Sequence, residues 1–129
     1  MKTTNYEISK KLKEAGFDAQ SSFFWCELGK DLIKIHISQS HSVPESIDKI
    51  KANGLETILD ALPKKIKFKE KEYCFWMQWS GCSDCYIMGY VYGNLRATEL
   101  EVSRYDDENK SLADIAGEMW LILKEKGLA

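Results

Sequence analysis

Cys82-Ser83-Asp84-Cys85 is the only closely spaced cysteine pair in this 129-residue chain. A CxxC in a turn between strands can supply half of a zinc knuckle, with two thiolates at two corners of a tetrahedral Zn²⁺ site. Closure needs two more ligands, and the chain offers Cys26, Cys74, His36 and His41, none of them in a second close pair. An all-cysteine site of Cys26, Cys74, Cys82 and Cys85 therefore requires the strands carrying Cys26 and Cys74 to be neighbours, with side chains facing the same end. Zinc is the one cofactor these residues raise. The alternative is that the thiols are small reduced apolar side chains in or near the core. Thioredoxin-type use is disfavoured. There the first cysteine opens a helix whose N-terminus lowers its pKa, whereas strand-like YIMGYVY follows here.

His36 and His41 are the only histidines. His36 alternates with Lys34 and Ser38 on the polar side of a strand, the pattern of a solvated histidine. A Cys–His pair meets in space rather than in sequence, so an enzyme with an unrecognised cleft, using His36 or a cysteine, stays as an alternative. No phosphate-binding loop, dinucleotide fingerprint, HExxH motif, nucleophile elbow or EF-hand loop is present. Lys65, Lys67, Lys69 and Lys71 would project from one face of a strand. Such a row can contact phosphates, and more often it protects a sheet edge.

The cysteine pair lies inside YCFWMQWSGCSDCYIMGYVY, residues 73 to 92, which holds seven aromatic residues. Alternation puts Tyr73, Phe75, Met77 and Trp79 on one face of the first strand, and Tyr86, Met88, Tyr90 and Tyr92 on one face of the second. Paired, these strands present a face of Tyr, Phe, Trp and Met. It is either the core face or, because tyrosine and tryptophan join an apolar body to a polar tip, a surface for a protein partner, a second copy or a planar ligand. Tyr73, Phe75, Trp79, Tyr86, Tyr90 and Tyr92 are the candidate contact residues.

Elements must position these groups. Thr4 and Glu7 suggest a capping box for a first helix with Ile8, Leu12 and Ala15 on one face, stopped at Gly16. Phe17 then packs back toward the core. Ser22–Leu28 and Leu32–Ser38 read as strands around a Gly29-Lys30-Asp31 turn. In the second, Ile33, Ile35 and Ile37 alternate with Lys34, His36 and Ser38, the signature of a half-buried antiparallel strand. Residues 39 to 53, polar and containing Pro44, read as a connection with one helical turn near Ile47 and Ile50. Asn53 and Glu56 suggest a cap for a short helix through Leu55, Ile58, Leu59 and Leu62, closed by Pro63. A hairpin follows, then two further strands, the last with Leu100 and Val102 opposite Glu99, Glu101 and Ser103. Ser111 and Asp114 cap a closing helix with an apolar face of Leu112, Ile115, Ala116, Met119, Ile122 and Leu123. The acidic run Asp106–Glu108 precedes that helix, where it complements the N-terminal dipole.

Strands and helices are segregated, which predicts an α+β domain over residues 1–129. It should hold a mainly antiparallel sheet of about five to six strands, with N-terminal, middle and C-terminal helices on one face. A net charge of −2 argues against dominant binding to nucleic acid or an anionic membrane. The longest apolar run, Met119 to Leu123, is too short to span a bilayer. With no apolar stretch near the N-terminus, a cytoplasmic location is expected.

Three segments, YEISKKLKEAGF, LETILDALPKKI and SLADIAGEMWLILKEKGL, resemble small uncharacterised proteins of bacterial prophages and mobile elements. Those proteins share an opening helix ending in AGF, a short helix ending in ALP and a Trp/Leu-rich closing helix. The resemblance covers about a third of the chain, rests on helix faces and caps, and carries over no catalytic residue. It implies an accessory protein acting by binding, with interference with host defence as a class of role. The cysteine block lies outside it. The expected function is thus binding of a protein partner, a second copy or a small ligand through the aromatic face. A zinc-stabilised domain and an enzyme are the alternatives.

Overall fold

The computed structural model describes residues 3–43, 47–80, 85–103 and 110–129, with the side chains of 40–42, 79, 80 and 85 outside that description. The elements run α1 (Tyr6–Glu14), β1 (Phe23–Leu28), β2 (Asp31–His36), a 3₁₀ helix (Ile37–Ser42), β3 (Lys49–Ala52), α2 (Leu55–Ala61), β4 (Lys65–Phe68), β5 (Lys71–Ser80), β6 (Cys85–Tyr92), β7 (Leu95–Ser103) and α3 (Leu112–Glu125). The fold is α+β with antiparallel pairing throughout, as expected. The strands number seven, and they divide into a sheet ordered β2-β1-β3 and a sheet ordered β4-β5-β6-β7.

The strand the sequence did not suggest is β3. Its segment, polar and containing Pro44, was expected to be a connection with a helical turn. Pairing decides the matter: Lys49–Ala52 runs antiparallel to β1 and completes the small sheet. Since β2 and β3 flank β1, the chain between them crosses from one edge to the other. Pro44 lies outside the described residues.

The closing helix forms as expected. Ser111 is its N-cap, and Asp114 completes the capping box. Ile115, Ala116, Met119, Trp120 and Leu123 are buried on β6 and β7. The run Asp106–Glu108 lies outside the described residues. α1 crosses α3 closely because Gly117 has no side chain; a Cβ there would lie 2.7 Å from Ile8 Cγ2 and 3.3 Å from Leu12 Cδ1. Asp114 is buried where the two helices begin, and its Oδ1 accepts the Asn5 amide at 2.6 Å. One carboxylate thus serves the N-termini of both helices, where negative charge is favoured.

Two caps differ from expectation by one residue. The N-cap of α1 is Asn5, whose Oδ1 accepts from Ile8 N at 2.9 Å, rather than Thr4. Thr4 is drawn inward, with its Oγ1 2.6 Å from Ser9 Oγ and accepting from Asn53 N at 3.0 Å. Asn53 is committed to that contact, so α2 starts at Gly54 with no side-chain cap. Phe17 does pack back, meeting Trp120 edge to face at 4.9 Å. No helix among the described residues is long and apolar enough to cross a membrane.

Candidate functional site

The register of the large sheet settles where the aromatic block points. Phe75 lies opposite Tyr90, Met77 opposite Met88 and Trp79 opposite Tyr86, so they share a face, as alternation predicts. That face turns toward the helices. Tyr73, Met88 and Tyr90 are buried in one cluster with Ile115, Met119 and Leu123, and Phe75 and Tyr86 pack against it. The Tyr90 hydroxyl donates to the Pro63 carbonyl at 2.7 Å, and burial pushes its pKa well above the usual value for tyrosine. Of the five candidate contact residues whose side chains are described, only Tyr92 is exposed, at 48%, and it touches Tyr73 along the sheet. The Trp79 side chain lies outside the description. Packing against the helices therefore accounts for Tyr73, Phe75, Tyr86 and Tyr90.

The opposite face holds Cys74, Trp76 and Gln78, with Ile87, Gly89 and Val91 across from them. A side chain at Gly89 would meet the Leu100 carbonyl at 2.7 Å, so its absence permits the close β6–β7 approach. Arg96 lies over the Trp76 ring at 5.2 Å and forms two bonds to Glu101, at 2.7 and 2.9 Å.

The cysteines do not converge as an all-cysteine site requires. Cys26 is buried in β1 of the small sheet and Cys74 exposed in β5 of the large one. Their strands are not neighbours, so the stated condition fails. Cys82 lies outside the described residues, as does the Cys85 side chain. Among the described residues no group of three or more His, Cys, Asp or Glu is placed to hold a metal ion. His36 is exposed. Its Nδ1 accepts from Ser38 N at 3.2 Å and lies 2.8 Å from Ser38 Oγ, and its ring meets Phe23 edge to face. It shares a face with Phe23, opposite it in the register. Cys26, three positions further along β1, points to the other face, so the two do not form a dyad. The His41 side chain is outside the description.

Two features remain that the sequence did not single out. The first is β2. Its polar residue Lys34 is exposed, and it lies along the sheet, donating to Thr3 Oγ1 at 2.9 Å and lying over the Phe23 and Trp25 rings. Its apolar residues stay in water: Leu32 is 42% exposed, Ile33 39%, and Ile37 just beyond the strand 50%. β2 was expected to be half-buried through Ile33, Ile35 and Ile37, yet only Ile35 gains partial cover. The reason is position. β2 is the outer strand of its sheet, and the N-terminal segment engages Trp25, whose Nε1 donates to the Thr4 carbonyl at 3.0 Å.

The second feature is a pair of grooves beside α1. One, of about 550 Å³, has Tyr6, Trp25, Ile47 and Ile50 among its walls, with charges of both signs at its rim. The Tyr6 hydroxyl donates to Glu27 at 3.0 Å, and this bond raises its pKa. The other, of about 280 Å³, lies between Ser9 and Lys13 of α1 and the row Lys49, Lys51 and Asn53. That row became visible only with β3, because a period of two has no meaning in a connection. No protein-family model, curated protein or solved structure matches this chain.

Proposed function

We propose that the protein is an association module whose recognition element is the free edge of β2, and that its partner is a second copy of itself. The carrying observation is that Leu32 and Ile33 stay exposed on an edge strand, with Ile37 exposed just beyond it. Alternation of this kind normally accompanies burial, and an exposed apolar edge is a template for pairing with another strand. Two of the usual protections, a proline and a bulge, are missing. β2 contains no proline, its register with β1 runs without a bulge, and its one lysine is bound to Thr3.

Two-fold pairing of antiparallel strands is selective about register. An axis at Ile33 sets Ile33 opposite its own copy, Leu32 opposite Lys34 and Asp31 opposite Ile35. An axis one residue on would set two lysines directly opposite each other, which is destabilising. The first arrangement joins two three-stranded sheets into one and covers Leu32 and Ile33. An accessory role in a phage or mobile element, as the resemblance suggests, is compatible with such a module and is part of the proposal.

The register is tested by Ile33→Cys under mild oxidation. Directly opposed residues of an antiparallel pair have Cα atoms about 4.5–5.5 Å apart, within disulfide reach. The variant should form a covalent dimer faster than wild type, and Lys30→Cys should not. Equal rates for the two variants would contradict pairing about Ile33.

A further inference from the structure

His36 is the exposed last residue of β2, and its ring is held in one orientation. Its Nδ1 accepts from the Ser38 amide at 3.2 Å, and its ring meets Phe23 edge to face with centroids 5.2 Å apart. A ring nitrogen that accepts carries no proton, so this is the arrangement of a neutral imidazole. Protonation turns Nδ1 into a donor. Ser38 Oγ, 2.8 Å away, can take that bond, and the Ser38 amide loses its acceptor. Because these bonds exist with or without a partner, they orient the ring and do not couple its charge to association. Coupling comes from the groups that face it. On β2, Lys34 shares its face and lies 5.7 Å over the same Phe23 ring. β1 presents the uncharged Phe23 and Trp25 there and, at its far end opposite Leu32, Glu27, which is bonded to Tyr6. The described side chains of the 3₁₀ helix, Ile37, Ser38 and Gln39, carry no charge.

A second copy adds a cation. The two-fold axis at Ile33 that sets Asp31 opposite Ile35 sets Lys30, in the exposed turn between β1 and β2, opposite His36 of the other copy. Symmetry repeats the contact. We infer, on the reading that β2 pairs about Ile33, that His36 is a pH switch for that pairing: the neutral imidazole permits it, and the imidazolium, opposed by Lys30 of the second copy, loosens it. Like charges directly opposite on paired strands are destabilising. Protonation of this ring and association therefore oppose one another. Association is full above the range in which histidines titrate and weakens as pH falls through it. The charge of the whole chain works the other way. Its net −2 at pH 7 shrinks as carboxylates take up protons, so general repulsion between copies eases in acid. A loss of association in acid thus points to the local pair.

Sedimentation equilibrium at about pH 8 and about pH 5.5, at matched ionic strength, reads the switch, because histidine changes charge between them. The wild-type dimer dissociation constant should rise roughly three- to tenfold at the lower pH, the scale of a symmetric pair of like-charge cross-strand contacts. The rise should shrink at high salt. His36→Asn keeps a side-chain oxygen that can accept from the Ser38 amide, and it should associate alike at both pH values. Lys30→Glu should reverse the sign and bind tighter in acid, because the imidazolium then meets a carboxylate. Both positions are exposed, and circular dichroism at each pH checks that the fold is unchanged. A wild-type chain that dimerises equally well at both pH values overturns the switch and leaves the pairing standing. A pH response that persists in His36→Asn overturns the switch too, since another group then carries it. A wild-type chain that is monomeric at the higher pH overturns the pairing itself and the switch with it.

Discussion

Two edge strands in this molecule carry nearly the same sequence pattern and meet opposite fates. β4 reads Lys65-Ile66-Lys67-Phe68, and β2 carries Ile33-Lys34-Ile35-His36. In β4 the isoleucine is buried under the helices while Lys65 and Lys67 face water. The strand is four residues long, Lys65 pairs with Glu72, and the next lysine but one, Lys69, pairs with Glu99 at 2.8 Å. This is a short, charged edge of the kind that resists further pairing. In β2 the lysine is exposed over the Phe23 and Trp25 rings, and the apolar neighbours Leu32 and Ile33 are exposed as well. Alternation specifies that one side of a strand should be covered, and it does not say by what. For β4 the cover is α2 and α3; for β2 it comes from beyond this chain, by the proposal above.

The comparison breaks most plainly under one substitution made in both strands. Ile66→Ala should cost about 2–4 kcal/mol in urea unfolding, the range for a buried isoleucine. Ile33→Ala should stay within about 0.5 kcal/mol in the monomer and weaken self-association instead. Similar losses of monomer stability at both sites would show that β2 is already covered.

A somewhat smaller effect is expected at Asp114, which belongs wholly to the covered side. Asp114→Ala removes the acceptor for Asn5 N, Ser111 N and Ser111 Oγ. Bonds to a charged group contribute about 1.5–3 kcal/mol, so unfolding should shift by about that amount, with no change in association. A loss of dimer at unchanged stability would contradict this separation.

Alkaline pH sharpens the contrast further. Burial raises the Tyr90 pKa in the folded chain, whereas an unfolded tyrosine ionises near pH 10, so unfolding takes up hydroxide only above about that pH. Stability from this group is complete below pH 10 and declines above it by about 1.4 kcal/mol per unit. Tyr90→Phe should flatten that slope and cost about 1 kcal/mol at neutral pH for the lost bond to Pro63. An unchanged alkaline slope would place the ionising group elsewhere. The smallest effect belongs to the protected edge. Lys65→Thr with Lys67→Thr should alter stability by no more than about 0.5 kcal/mol, while light scattering reports new, weak association through β4.

Much of this architecture was legible in the residues. Ser111 and Asp114 marked the start of α3, and period-two alternation placed Tyr73, Phe75, Tyr90 and Met88 on a common face. Which way that face turns was not legible, because two faces of similar hydropathy compete for the same helices and only packing decides. β3 was hidden because Lys49 and Lys51 are polar residues in an edge strand, where they need no burial. The smaller groove beside α1 was hidden with it, since Lys49, Lys51 and Asn53 form a row only once β3 exists. Cys82–Cys85 drew attention by spacing alone, and Cys26 and Cys74 lie in different sheets.

Sedimentation equilibrium on the 129-residue chain, with wild type beside Ile33→Lys, tests the central claim most directly. Association through β2 predicts a wild-type dimer at micromolar concentration and a monomeric variant with unchanged circular dichroism and thermal midpoint. A wild-type chain that stays monomeric up to the highest soluble concentration would contradict it, as would an Ile33→Lys variant that dimerises like wild type.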